Sequence, residues 1–317
     1  MSTARYEPNV TAYFKGLVVG GVALNSNTLQ GTVRRVDSVR GSDGNDGLTW
    51  KYAFKTIAAA VAASAAGDTI LCSGSFSEAV TVSLAGLKIF GATGNPADAV
   101  WTAPTVAGSF CVYVNAANVQ IAGFKFRPVI YVSSGIPSAI KLGTCPYTKI
   151  MGNRFQGQVG SYAAIYAPAA TCDNVEISDN EFIYMNTLTY GYAIQGVAAA
   201  GLTFSNWQIL RNVFNSCTND IKLPATACIL DGNKHCYYGI LATGAVGAVT
   251  TGATGAGINL AGTSSGGNLV TNNTLGAPAY TLANYTPGAT TDSWMGNKAA
   301  ITTTTCAYGS TVLCPGA

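Results

Sequence analysis

The sequence predicts an all-β chain wound into a solenoid of stacked coils. The first observation behind this is a motif that recurs through the second half: an apolar pair two residues apart, Asn three residues on, and a large apolar residue two further. It reads Thr148-x-Ile150-x-x-Asn153-x-Phe155, then Val175-x-Ile177-x-x-Asn180-x-Phe182, then Trp207-x-Ile209-x-x-Asn212-x-Phe214. Fainter copies are Cys228-x-Leu230-x-x-Asn233-x-His235, Asn268-x-Val270-x-x-Asn273-x-Leu275 and Asp292-x-Trp294-x-x-Asn297-x-Ala299, and an earlier copy, Val119-x-Ile121-x-x-Phe124-x-Phe126, lacks the Asn. The second observation is the spacing of the Asn residues: 27 (153 to 180), 32 (180 to 212), 21 (212 to 233), 40 (233 to 273) and 24 (273 to 297). Helical pairs repeat more regularly, whereas the period-two alternation here marks strands with one buried face. The third is the polar residue at the same corner of every copy. One strand per turn with variable loops cannot bury its inner face alone, so the turns stack. The Asn column is expected to tolerate left-handed backbone angles and to hydrogen-bond from coil to coil.

Four segments follow in order. Residues 1–40 read as an irregular arm with strand potential at Leu17 to Val19 and Val33 to Val39; Arg5, Lys15, Arg34, Arg35 and Arg40 against Glu7 and Asp37 make it the most basic part of the chain. Residues 41–67 read as a turn and a short helix over 51–66, with Phe54, Ile57, Ala58, Val61 and Ala65 on one face, Thr49 as N-cap and Gly67 as stop. Laid across the first coil, that helix would cover an open strand edge. Residues 68–300 read as coils, with strands at 69–73, 79–83, 87–90, 110–114 and 119–126 before the repeats; the Gly, Ala and Thr-rich stretch from Ala245 to Gly267 reads as a thin coil or a flat loop. Residues 301–317 form a tail.

The opening stretch, Gly41-Ser-Asp-Gly-Asn-Asp-Gly47-Leu-Thr-Trp50, then Ala53-Phe-Lys-Thr-Ile57, then Gly67-Asp-Thr-Ile70, resembles the start of right-handed parallel β-helix proteins with a pectin-lyase-like fold. The likeness spans roughly residues 41–300 and includes β-helix proteins of tailed bacteriophages. It implies a right-handed single-stranded parallel β-helix with a short N-terminal capping helix and an extended N-terminal arm. The fold hosts lyases, hydrolases, tailspikes and inert structural proteins, so function must be argued from sites.

The chain has 317 residues, 48% hydrophobic and 10% charged, with a formal charge of +3, too little to suggest a nucleic-acid or membrane-surface partner. A solenoid of this length can form one domain. Between Tyr237 and Ala317 the only charged side chains are Asp292 and Lys298, which suggests a surface covered by other chains. Of nine Cys, Cys72, Cys111 and Cys228 sit among strand residues as core fillers, and Cys306 and Cys314 are candidates for a bridge. With no CxxC pair and a single His, no zinc site is expected. The apolar run Gly16 to Leu24 is too short to span a bilayer, and it begins too late, behind Glu7, for a secretory signal; synthesis and maturation in a cytoplasm are expected.

The best carboxylate cluster is Asp173, Glu176, Asp179 and Glu181. Stacking the motif copies puts Glu176 over Lys149, Glu181 over Arg154 and Asp179 beneath Arg211. Neighbouring strands lie about 4.8 Å apart, so these are ion pairs in reach. Pairing lowers a carboxylate's pKa, the wrong direction for a general acid. His235 stands in the column of Phe155, Phe182 and Phe214 and reads as core. The Gly-His-Gly signature of polygalacturonases has no match, and neither has a phosphate-binding Gly-Lys-Ser/Thr loop. The Asp43-Gly-Asn-Asp46-Gly turn lacks the later acid that would complete a calcium loop. Tyr162, Tyr166, Tyr184, Tyr190 and Tyr192 suit sugar stacking or a protein interface.

The expectation is therefore a non-enzymatic virion structural protein with no catalytic, cofactor or metal residues. More narrowly it is a capsid decoration (cement) protein, assembled in the host cytoplasm, that binds the major capsid protein and copies of itself as a homotrimer. The alternative is a tailspike or other receptor-binding β-helix that binds or cleaves bacterial surface polysaccharide. A surface adhesin fits the fold but not the expected lack of an export signal.

Overall fold

The computed structural model describes residues 31–236 apart from the short segments 106–108, 129–135, 158–161, 170–171, 186–190, 198–202, 216 and 218. It also describes strands Leu17–Val19 and Val22–Leu24 and residues 258–260, 265–276, 285–286 and 291–299. The described coils form a right-handed parallel β-helix. Two faces make one continuous set of eighteen strands and a third face has eight, with every pairing parallel. The first face runs from Val33–Asp37 through Lys149–Met151, Glu176–Ser178 and Gln208–Leu210 to Ser293–Met295. The second runs from Ala99–Thr102 through Arg154–Gln156, Glu181–Ile183 and Val213–Asn215 to Lys298–Ala299. The long strand Thr69–Ser77 serves both faces and turns between them at Gly74, φ +103°. The third face runs from Val80–Val82 through Phe110–Val114, Ser138–Leu142, Ala163–Ala167, Tyr192–Gly196 and Asn219–Lys222 to Tyr285–Thr286.

The register follows the motif. Ile121, Ile150, Ile177, Ile209, Leu230 and Val270 stack coil on coil on the first face, and Phe126, Phe155, Phe182, Phe214 and His235 stack on the second. Both columns point inward, where Val112, Ile140, Ile165, Ile194 and Ile221 close the core from the third face. The Phe155 and Phe182 rings stack 4.8 Å apart, 6° from parallel, and Phe182 and Phe214 repeat this at 5.0 Å and 5°.

The Asn column forms the expected ladder. Asn180 Oδ1 accepts from the backbone N–H and Nδ2 of Asn153 (2.9 and 3.1 Å), and Asn180 Nδ2 donates to Ile150 O at 2.8 Å. The pattern continues through Asn212, Asn233 and Asn273 to Asn297. One detail differs from expectation: the left-handed residues are those just before the Asn, namely Gly152, Asp179, Arg211, Gly232, Asn272 and Gly296. Bending the chain there frees the next side chain to turn inward. The Asn is needed for its amide, which satisfies backbone groups that the bend takes out of the strand ladder.

At the N-terminus the predicted helix 51–66 divides. Trp50–Tyr52 is a 3-10 turn capped by Thr49, and the α-helix is Ile57–Ala63, capped by Thr56, whose side chain accepts from Ala59 N at 3.1 Å. Between them Phe54 is buried and forms a bridge to Val36. Ile57 and Ala60 are buried while Ala58 and Ala65 are exposed, and the helix ends at Ala63, with Ser64 as its extended C-cap, before Gly67 is reached. Glu78 accepts from Ile57 N and Ala58 N, and its burial raises its pKa despite those bonds. The helix packs on Val33–Asp37, Thr69–Ser77 and Val80–Val82 and so covers the first coil. Residues 33–37, expected within the arm, are the first strand of the stack. Arg5, Lys15, Glu7, most of 245–267, the tail and Cys306 and Cys314 lie outside the described residues.

Candidate functional site: the outer ladder and its clefts

The outward side chains of the middle coils meet in the columns that the motif alignment placed. Lys149 Nζ lies 2.8 Å from Glu176 Oε2, and Arg154 Nε 3.2 Å from Glu181 Oε2. Arg211 grips Asp179 with two parallel bonds, Nε to Oδ1 at 2.8 Å and Nη2 to Oδ2 at 2.7 Å. The Asp179 carboxylate also raises the already high pKa of Arg211. Asp179 and Arg211 have φ of +57° and +54° where neighbouring coils carry Gly152 and Gly232. A left-handed side-chain residue is disfavoured by roughly 1–2 kcal/mol. The bidentate pair therefore occupies positions that a glycine would fill with less strain. The fourth acid, Asp173, accepts the backbone N–H of Ser205 at 3.2 Å.

Two clefts open on this side. One, of about 270 Å³, is lined by Asn95, Pro96, Ala97, Lys125, Gly152, Asn153, Arg154, Asp179 and Glu181. The other, of about 350 Å³, lies at the far end of the same strands against Thr102, Thr105, Arg127 and Gln156. Strand Lys125–Arg127 stands between them. Partial burial and the nearby Arg127 and Arg154 lower the pKa of Lys125, the mark of cations crowded on one surface.

His235 is fully buried, stacked 4.9 Å from Phe214, and its Nδ1 lies 2.8 Å from Asp220 Oδ2, also buried. Asp220 stands at the third-face position that holds Ala193, Ala164, Ala139 and Cys111 in earlier coils, so it enters the core where the aromatic column ends in imidazole. Sequence reasoning placed His235 but missed Asp220, because the third face carries no repeated mark.

The acids of the Asp43 to Gly47 turn serve the backbone. Asp43 Oδ1 accepts from Lys55 N and Thr56 N, and Asp46 Oδ1 from Leu48 N. Among the described residues no three His, Cys, Asp or Glu side chains are grouped to hold a metal ion. Tyr162, Tyr166 and Tyr192 cluster on the outer side of the third face but are largely buried, whereas Tyr184 is half exposed; Tyr190 lies outside the described residues. Of the basic arm, Arg34 bonds Asp46 O and Arg35 bonds Val33 O and Leu48 O, so both are engaged in the first coil.

No protein-family model and no curated protein matches the chain. Among solved structures it is similar to the pectin methylesterase from Aspergillus niger in penultimately deglycosylated form, 14% identical, covering 86% of each chain with a TM-score of 0.42. The deglycosylated form of the same enzyme matches at 14% identity, covering 83% of this chain and 96% of that one, with a TM-score of 0.38. The likeness is one of fold, that of a pectin-lyase-like β-helix. It corrects one expectation: the chain was expected not to be an enzyme, whereas both matching chains are enzymes. A β-helix as such is no ground for excluding catalysis.

Proposed function

We propose that this β-helix is a structural part of a tailed-phage virion, a decoration protein that binds the major capsid protein on the head. In this reading residues 1–30, the part of the expected arm that precedes the first coil, anchor the chain, the coils form a stiff body, and three copies associate about an axis after assembly in the host cytoplasm. The observation that carries it is the use of polar groups in the middle coils. Asn153, Asn180, Asn212 and Asn233 bond from coil to coil, and three of the four clustered acids pair with a cation of the adjacent coil. Such a body holds its length and shape without a partner, as a particle surface requires. The scarcity of charge after Tyr237 supports burial of that end against other chains. Mass spectrometry of purified virions should find the chain in a fixed ratio to the major capsid protein, and deletion of residues 1–30 should abolish attachment while the coils stay folded. Absence from purified virions overturns the reading.

A second reading is favoured by the cleft over Lys125, Arg154, Asp179 and Glu181: a tailspike or receptor-binding protein that binds or cleaves bacterial surface polysaccharide. It predicts saturable binding of host polysaccharide, or release of reducing ends, that is lost in Lys125→Ala and Asp179→Ala. Equal behaviour of these variants and the parent chain rejects that site.

A further inference from the structure

Two cysteines meet inside the coil at the corner that precedes the first face. The offset between their coils is 27 residues, fixed by Lys149 opposite Glu176 and Ile150 opposite Ile177, and it carries Cys145 onto Cys172. The same column holds Ala116 in the preceding coil and Phe204 and Ala225 in the following ones, by the offsets that set Gln120, Lys149, Glu176, Gln208 and Ile229 in line. Both thiols are fully buried and free. The corner is held on each side, by Tyr147 N donating to Asp173 O at 3.1 Å and by Trp207 Nε1 donating to Cys172 O at 2.6 Å.

We infer that Cys145 and Cys172 are a latent coil-to-coil staple, a modification site that closes to a disulfide when the folded protein meets an oxidising thiol–disulfide pool. In-register neighbours of a parallel sheet stand about 4.8 Å apart, inside the roughly 4.4–6.8 Å between Cα atoms that a disulfide spans. The register alone sets the two thiols on neighbouring coils of one inward column, and the Cys145 thiol is near enough to push up the pKa of Cys172. Closure brings the sulfurs to about 2.05 Å, a movement that corner residues outside the strand ladder can absorb.

The reaction balances with a low-molecular-weight disulfide such as oxidised glutathione. One cysteine loses its proton and its sulfur attacks the reagent, forming a mixed disulfide and releasing one glutathione thiolate. The second cysteine, deprotonated in turn, attacks the protein-bound sulfur and displaces the second glutathione. The protein loses two electrons and two protons, and the reagent becomes two thiols. The Cys145 thiol and burial together hold the Cys172 pKa far above its ordinary value, so little thiolate is present while the corner is shut. Closure therefore proceeds through brief opening of the corner, and the same burial then shields the bond from reductants. The staple ties the Asn153 coil to the Asn180 coil and leaves the other coils free.

Peptide mapping of the full chain tests this. The folded protein is incubated with oxidised glutathione, remaining thiols are alkylated in denaturant, and trypsin is added without reductant. The expected product is Leu142–Lys149 linked to Phe155–Arg211, each of which carries one cysteine. The linked protein should show a higher denaturant midpoint than the reduced protein, and Cys145→Ser should lack both the link and the gain. Recovery of both peptides singly alkylated, or linkage of either cysteine to a different partner, overturns the inference. The decisive reading comes from the parent chain, so it stands even if a serine variant fails to fold.

Discussion

The inside and the outside of the Asn153, Asn180 and Asn212 coils are both ladders set by one register, yet they differ in what they hold. Inside, each amide bonds two backbone groups and the next amide, all shielded from water. Outside, Lys149–Glu176, Arg154–Glu181 and Arg211–Asp179 are salt bridges in which every cation is about half exposed. An unsatisfied buried group is far more costly than a lost surface pair. The interior therefore sets coil spacing, and the exterior decorates a spacing already set. That leaves the outer side chains free to be read by a partner or a ligand.

The largest break in this comparison should come from the aromatic column. Phe182→Ala empties a fully buried site between two stacked rings, with an expected loss of about 3–5 kcal/mol by denaturant unfolding. Asn180→Ala follows at about 2–4 kcal/mol, because Ile150 O and Asn153 N lose their partners in a dry site. Outside, Arg211→Ala should change stability by about 0.2–1 kcal/mol, an effect that shrinks with added salt. Asp179→Gly should match or exceed the stability of Asp179→Ala, since glycine accepts φ near +57° without strain.

A carboxylate between these extremes gives the smallest effect. Burial raises the pKa of Glu78 above its ordinary 4.5, so the folded state holds this proton more tightly than the unfolded chain. Its contribution is present in full below the unfolded value and is lost as pH rises through the folded one. Stability measured from about pH 4 upward should therefore fall less steeply in Glu78→Gln than in the parent chain, as the difference between two pH–stability curves.

Much of the inner ladder was legible in the sequence because the motif joins two adjacent strands with a fixed count between them. That constant count let Lys149, Arg154 and Arg211 be matched with their acids, and it put His235 in line with Phe214. The third face was legible only in its first two strands, expected at 79–83 and 110–114 and found at Val80–Val82 and Phe110–Val114; beyond them the loops before and after it vary in length and its register cannot be carried over from the motif. Asp220 and the stacking of Cys145 on Cys172 were missed for this reason, or because no motif position marks them. The helix was overextended because alanines satisfy its period whether buried or exposed, while the buried Phe54 breaks it from the preceding turn. The left-handed positions were assigned to Asn on propensity alone, whereas the bend falls one residue earlier. The expectation of no catalysis rested on the pairing of Glu176, Glu181 and Asp179 with cations and on absent signatures, and the repeat that reveals those pairs does not encode what the outer loops carry.

The central claim is tested most directly by native-state hydrogen exchange across Lys149–Met151, Glu176–Ser178 and Gln208–Leu210. Asn180→Ala should lower protection in all three strands together. Glu181→Gln, or about 1 M salt, where screening acts within roughly 3 Å, should leave them close to the parent chain. Equal loss of protection on removing the outer pairs, with Asn180→Ala little changed, would contradict an interior that sets the coils.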